Sequence, residues 1–170
     1  METALLILKV LLPVAYVAAL GAYARAFFRE EAGESRRVAQ TALTAALGIH
    51  TALLTLLTIE YRRCPLWTQG EALLFLGWML ALLHLLSEWS ADTRRLGFFT
   101  LTPAALCAIV SVFFLGNDLN LSPAYRSSWF IFHIVASLAS YAAYSLAAVL
   151  AASVGLQLKQ FRRDPVQIAG

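Results

Sequence analysis

Three histidines and a few acidic side chains stand in stretches otherwise made of alanine, leucine and valine, and their spacing limits the chemistry open to them. His50 lies 13 residues after Arg37 and 12 before Arg62, which at helical rise puts it roughly 18 Å from either charged flank. A neutral imidazole at that depth needs a partner: a metal, a haem iron, or a hydroxyl or carbonyl of a neighbouring helix. Thr44, Gly48, Thr51, Thr55 and Thr58 form a stripe on the same helix, so a histidine bonded across a helix interface accounts for His50 equally well.

His133 follows Trp129 by four residues, about one turn inside its apolar block. Ser137, Ser140, Tyr141, Tyr144 and Ser145 continue from it at helical spacings, with alanines between them that let another helix approach closely. That pattern reads either as a ligand site or as a plain helix interface. His84, four residues before Glu88 near the end of the third block, reads as interfacial. Glu71 follows Pro65-Leu66-Trp67-Thr68-Gln69-Gly70 at the start of a span, where the helix dipole favours a carboxylate, so capping alone could account for it.

The elements that must position these residues follow from composition. Of 170 residues, 60% are hydrophobic and 14% charged, against roughly 45–50% and about 25% in soluble domains. With a mean hydropathy of +0.70, the chain reads as an all-α, polytopic membrane helical bundle, one transmembrane domain over residues 1–170. Five apolar blocks of membrane-spanning character run from Ala4 to Phe28, Val38 to Ile59, Ala72 to Leu86, Phe98 to Leu115 and Trp129 to Leu158.

Five spans put the termini on opposite sides. Arg25, Arg29, Arg36, Arg37, Arg94, Arg95, Lys159, Arg162 and Arg163 fall on one side, and Arg62, Arg63 and Arg126 on the other. The excess places the C-terminus in the cytoplasm and the N-terminus outside. Trp67, Trp89 and Trp129 sit near block ends, where an amphipathic ring prefers the headgroup layer. Ala22-Tyr23-Ala24 resembles a signal-peptidase site, but the acidic Glu2 and the flanking Arg25 and Arg29 favour a retained span.

Several functions are disfavoured. The net charge of +3 encodes topology rather than nucleic-acid binding. Cys64 and Cys107 form neither a CxxC pair nor a zinc spacing. No phosphate-binding loop, GxGxxG, HExxH or CxxCH motif is present. A small-solute transporter is disfavoured because no span is broken by paired Gly or Pro and no buried carboxylate is in place to couple ions.

Two segments carry a resemblance. His50, then Tyr61-Arg62-Arg63-Cys64-Pro65, then Gln69-Gly70-Glu71-Ala72-Leu73 and Gly77-Trp78 resemble the amino-terminal pattern of the CcsA/ResC/HemX-type cytochrome c assembly proteins. Ser122-Pro123-Ala124-Tyr125-Arg126-Ser127-Ser128-Trp129, then Phe132-His133-Ile134 and Ser140-Tyr141-Ala142, resemble the family's P-x-L-x-S-x-W-x-x-x-H-V segment and the S-Y-A helix after it. Here Tyr125 stands at the usual Leu, and Gln69 at the Asn of the N-x-F/Y-E segment. The family's tryptophan-rich segment, W-G-x-x-W-x-W-D, and the histidines after it have no counterpart.

The resemblance implies a multi-pass protein of the inner (plasma) membrane that binds haem b as cargo and presents it at the outer face for attachment to apocytochrome c. In that reading His133 is the outer ligand, Trp129 flanks the haem edge, His50 holds haem within the bilayer, and Glu71 belongs to the same cofactor-binding set. A membrane partner subunit would supply the ligands this chain lacks, and the chain is not expected to be an enzyme on its own. The alternative is a haem-free scaffold subunit of a larger complex.

Overall fold

The computed structural model describes residues 2–28, 34–90, 96–115 and 127–163, and within these every regular element is helical. The helices are α1 (Glu2–Phe28), α2 (Glu34–Tyr61), α3 (Gln69–Ser90), α4 (Gly97–Phe113) and α5 (Ser128–Arg163). Each predicted block became one helix. The helices overrun the apolar blocks at most ends because backbone hydrogen bonding continues into the polar flank, whereas hydropathy stops at the first charge. Arg29, Arg94, Arg95, Pro123 and Arg126 of the sequence reading lie outside the described residues.

Helices α1, α2, α3 and α5 are long and apolar enough to cross a membrane. The 17 residues of α4 extend about 25 Å, slightly short of a typical hydrocarbon core. The chain is a multi-pass membrane protein. Helices α1 to α4 close a ring, α2 on α1, α1 on α4, α4 on α3 and α3 on α2, and α5 lies outside it, chiefly against α3.

The ring core is a seam of small and medium side chains. Leu12, Tyr16, Ala19 and Tyr23 of α1 face Leu43, Ala46, Leu53 and Leu57 of α2 and Leu101, Ala104, Ala105 and Ala108 of α4. Small residues let α3 and α4 approach closely, as membrane helices require. A Cβ built on Gly77 would sit 3.1 Å from the Ala104 carbonyl oxygen, and one on Gly70 would collide with the Phe114 carbonyl. Pro13 and Pro103 are both accommodated inside continuous helices.

Side-chain contacts fix the relative helix directions. The start of α3 meets the end of α4 at Gly70 and Phe114, while the end of α1 meets the end of α3 and the start of α4 through Tyr23, Glu88 and Gly97. Neighbouring helices in the ring therefore alternate, as the sequence reading required. The Ala22-Tyr23-Ala24 tripeptide lies inside α1, its tyrosine buried in the bundle.

The hydroxyls of the α2 threonine stripe donate within their own helix. Thr44, Thr51, Thr55 and Thr58 each donate to the carbonyl four residues earlier, at 2.8–2.9 Å. Only the Thr51 oxygen also serves another helix among these four, accepting the Trp78 indole N–H at 2.9 Å. On α5, Ser137, Ser140 and Ser145 are satisfied in the same local way.

Candidate functional site

Glu71 is fully buried at the start of α3. Arg63 grips its carboxylate with both arms, Nη1 to Oε2 at 2.8 Å and Nη2 to Oε1 at 2.7 Å. The Trp67 amide donates to Oε2 at 2.7 Å and the Thr68 amide at 3.3 Å, while the Glu71 amide donates back to Thr68 Oγ1 at 3.1 Å. Thr68 and Glu71 form a reciprocal cap of α3. Capping, foreseen from position, is joined by a bidentate arginine that the spacing did not reveal.

That carboxylate thus organises the whole connection between α2 and α3. Arg62, just beyond α2, takes a left-handed backbone with φ 48°, a helix-ending conformation. Cys64 is half-buried beside it, and burial together with the Glu71 charge pushes its thiol above the usual range, opposed by Arg63. Trp67 stacks flat on Phe130 of α5, ring centroids 5.2 Å apart and planes 2° apart. The loop is thereby tied to the amino-terminal turn of α5, one turn before His133.

His133 is exposed, as are Trp129 and Phe132, and Trp129 meets Phe132 edge-on at 6.5 Å. Tyr141 and Tyr144 are also exposed further along α5. Ala142 is the one hydrophobic side chain of α5 fully buried among the described residues. The face carrying His133 offers an imidazole among aromatic rings with no covering helix from the described chain.

His50 is the opposite case, with no exposed surface. Tyr16 Oη lies 2.8 Å from its Nδ1, and the two rings meet edge-on at 5.5 Å. The Leu74 backbone approaches the ring, yet Nε2 makes no hydrogen bond of ordinary geometry. The interhelical partner is thus a tyrosine of α1, not a threonine. His50 is enclosed while His133 is open, so the two are not arranged around a common space.

His84, read as interfacial near the end of the third block, faces into the bundle near the end of α3. It is fully buried, with Nδ1 2.8 Å from Thr100 Oγ1 of α4 and Nε2 3.1 Å from Glu88 Oε1. Tyr23 donates to the same Oε1 at 2.6 Å and sets its ring edge-on to His84 at 5.3 Å. The expectation that no carboxylate is buried in a span is also corrected, since Glu88 is buried here. Hydropathy missed both because Ser87 and Trp89, their neighbours, resemble a span end; the spacing of four between His84 and Glu88 was the available signal.

A family model described as cytochrome C assembly protein matches residues 66–169, which takes in α3, α4, the whole of α5 and the Trp67 loop. The chain belongs to the cytochrome c assembly protein family. Glu71, Trp129 and His133 fall inside the family region and His50 outside it. Among curated relatives, the chain is 35% identical over 102 residues to a cytochrome c biogenesis protein CcsA of Mesostigma viride, covering 58% of this chain and 33% of the relative. It is 35% identical over 116 residues to that of Chlorella vulgaris, 65% and 36% of the two chains. The Synechococcus sp. (strain RCC307) protein of the same name is 30% identical over 129 residues, 74% and 42%. The chain thus spans about a third to two fifths of these relatives' length. No solved structure matches it.

Proposed function

We propose that this chain acts in cytochrome c biogenesis as a membrane protein that binds haem as cargo and presents it at the outer face of the inner (plasma) membrane for attachment to apocytochrome c. The observation that carries this reading is the exposed His133 on α5, flanked by Trp129 and Phe132, within the segment matched by the cytochrome c assembly family. An imidazole nitrogen supplies an axial ligand, and the indole and phenyl rings offer apolar contact to a flat macrocycle. Haem b fits the role of a cargo held without covalent bonds.

His133 and its aromatic neighbours fit such a ligand in chemistry and in access. His50 fits in donor chemistry, because Tyr16 holds Nδ1 and leaves Nε2 without a hydrogen bond, the arrangement in which a partner behind the ring orients a ligand nitrogen. Its enclosure means that Nε2 is reached only when the surrounding helices part. Glu71 acts at one remove, holding the loop whose Trp67 packs on Phe130. The open α5 face is where a membrane partner subunit would bring the remaining ligands. Residues 1–170 then work as one transmembrane unit, with the α2–α3 connection and the start of α5 outside and the C-terminus cytoplasmic.

The test is an absorption spectrum of the detergent-purified chain with added hemin, as prepared and after dithionite, beside His133→Ala and His50→Ala. A Soret band that sharpens on reduction and weakens in His133→Ala supports the reading. A chain that takes up no hemin overturns it for this chain and leaves a haem-free scaffold subunit, which the internally bonded His50 would serve as a structural tie.

A further inference from the structure

The described residues hold a second polar centre that the haem reading does not use: Tyr23 of α1, His84 and Glu88 of α3 and Thr100 of α4. The side chains of His84 and Glu88 are 0% and 1% exposed. Gly97 makes the enclosure possible, since a Cβ there would collide with the Tyr23 ring and lie 3.0 Å from His84 Nε2.

Among the described residues, the charges in this enclosure do not balance without an added proton. Glu88 Oε1 takes the Tyr23 hydroxyl and faces His84 Nε2, and no Arg or Lys among the described residues pairs with this carboxylate. Among the described residues, the groups facing the pair are Tyr23 from α1, Thr100 from α4 and their own neighbours on α3; Arg25, one turn from the end of α1, is exposed. A carboxylate buried with a neutral imidazole leaves a full negative charge in an apolar bundle, which is strongly disfavoured. Two atoms lack a hydrogen bond, His84 Nε2, which only approaches Glu88 Oε1 at 3.1 Å, and Glu88 Oε2.

Thr100 is suited to either state of the ring. Its hydroxyl lies 3.2 Å from the Leu96 carbonyl and 3.3 Å from that of Gly97, so it can donate there while accepting from Nδ1–H. Turned the other way, it donates to a bare Nδ1.

We propose that the Tyr23–Glu88–His84–Thr100 cluster is a proton-binding site, holding one proton between Glu88 and His84 beyond the single proton of a neutral imidazole. Bound, that proton cancels the carboxylate charge and supplies one of the two empty positions. Released, it leaves a net charge at the junction of α1, α3 and α4, so occupancy is coupled to how tightly those helices pack. The site is separate from the proposed haem ligands, and its test needs no haem.

Nitrogen-15 NMR of the full chain, with histidine rings labelled, reads the ring state at neutral pH, the His84 signal being assigned by its loss in His84→Gln. Isotope-edited infrared spectra of labelled glutamate read the carboxyl on the same sample. An imidazolium at position 84 that becomes neutral in Glu88→Gln supports the proposal, as does a protonated carboxyl band that Glu88→Gln removes. A neutral ring at 84 together with an ionised carboxylate at 88 overturns it. Should Glu88→Gln not fold, the wild-type spectra and Tyr23→Phe, which removes one hydroxyl, still decide between those outcomes.

Discussion

Tyr16 and His50, 34 positions apart in sequence, share a 2.8 Å contact inside the bundle, with neither side chain exposed. The bond joins α1 to α2 and gives the imidazole one fixed ring nitrogen. Tyr16→Phe leaves Nδ1 buried without a partner and is expected to lower stability by about 1–3 kcal/mol. His50→Leu in the Tyr16→Phe background should recover part of that loss. A double-mutant cycle on denaturant unfolding in detergent measures the coupling, and strict additivity would contradict a direct bond.

Breaking the Arg63–Glu71 pair is expected to do more damage than breaking the tyrosine bond. Arg63→Ala leaves a fully buried carboxylate with only backbone donors and should cost about 3–5 kcal/mol. Arg63→Lys should recover a minority of that loss, because an ammonium cannot span both carboxylate oxygens. Unfolding midpoints of the three proteins check the order wild type, Lys, Ala.

Close approach of α3 and α4 is tested at two glycines. Gly70→Ala meets the backbone carbonyl of Phe114, which cannot rotate away, and should prevent native packing. Gly77→Ala, at 3.1–3.2 Å from Ala104, Cys107 and Ala108 atoms, should be milder. Thermal unfolding followed by near-ultraviolet circular dichroism separates the two.

The Cys64 thiol provides a pH readout of the α2–α3 connection. Burial and Glu71 raise its pKa above the ordinary 9.0, so the thiolate is scarce at neutral pH and grows as pH rises through the raised value. Maleimide labelling should be slower than for a small free thiol at pH 7 and accelerate toward strongly alkaline pH. Equal rates at neutral pH would contradict the buried setting.

The five helices were legible because lipid and helix core both demand apolar side chains, so each block announced itself. Their ends were less so: α3 begins at Gln69, ahead of the apolar block at Ala72, because Thr68 caps it. The capping role open to Glu71 was legible from its position at the start of α3, whereas its arginine partner was not. Tyr16 with His50 and Tyr23 with Glu88 were not legible, since they join residues 34 and 65 apart whose meeting depends on which helix faces rotate inward. For the same reason the burial of His84 beside Tyr23 and Thr100 was not legible, although its spacing to Glu88 was plain in the sequence.

The threonine ladder on α2 changes what that helix is to its surroundings. With four hydroxyls folded back onto their own carbonyls, the exposed side chains present methyl groups and behave toward lipid much as valines would. Recognition on that flank, by acyl chains or by a neighbouring protein, then depends on contour and not on polarity.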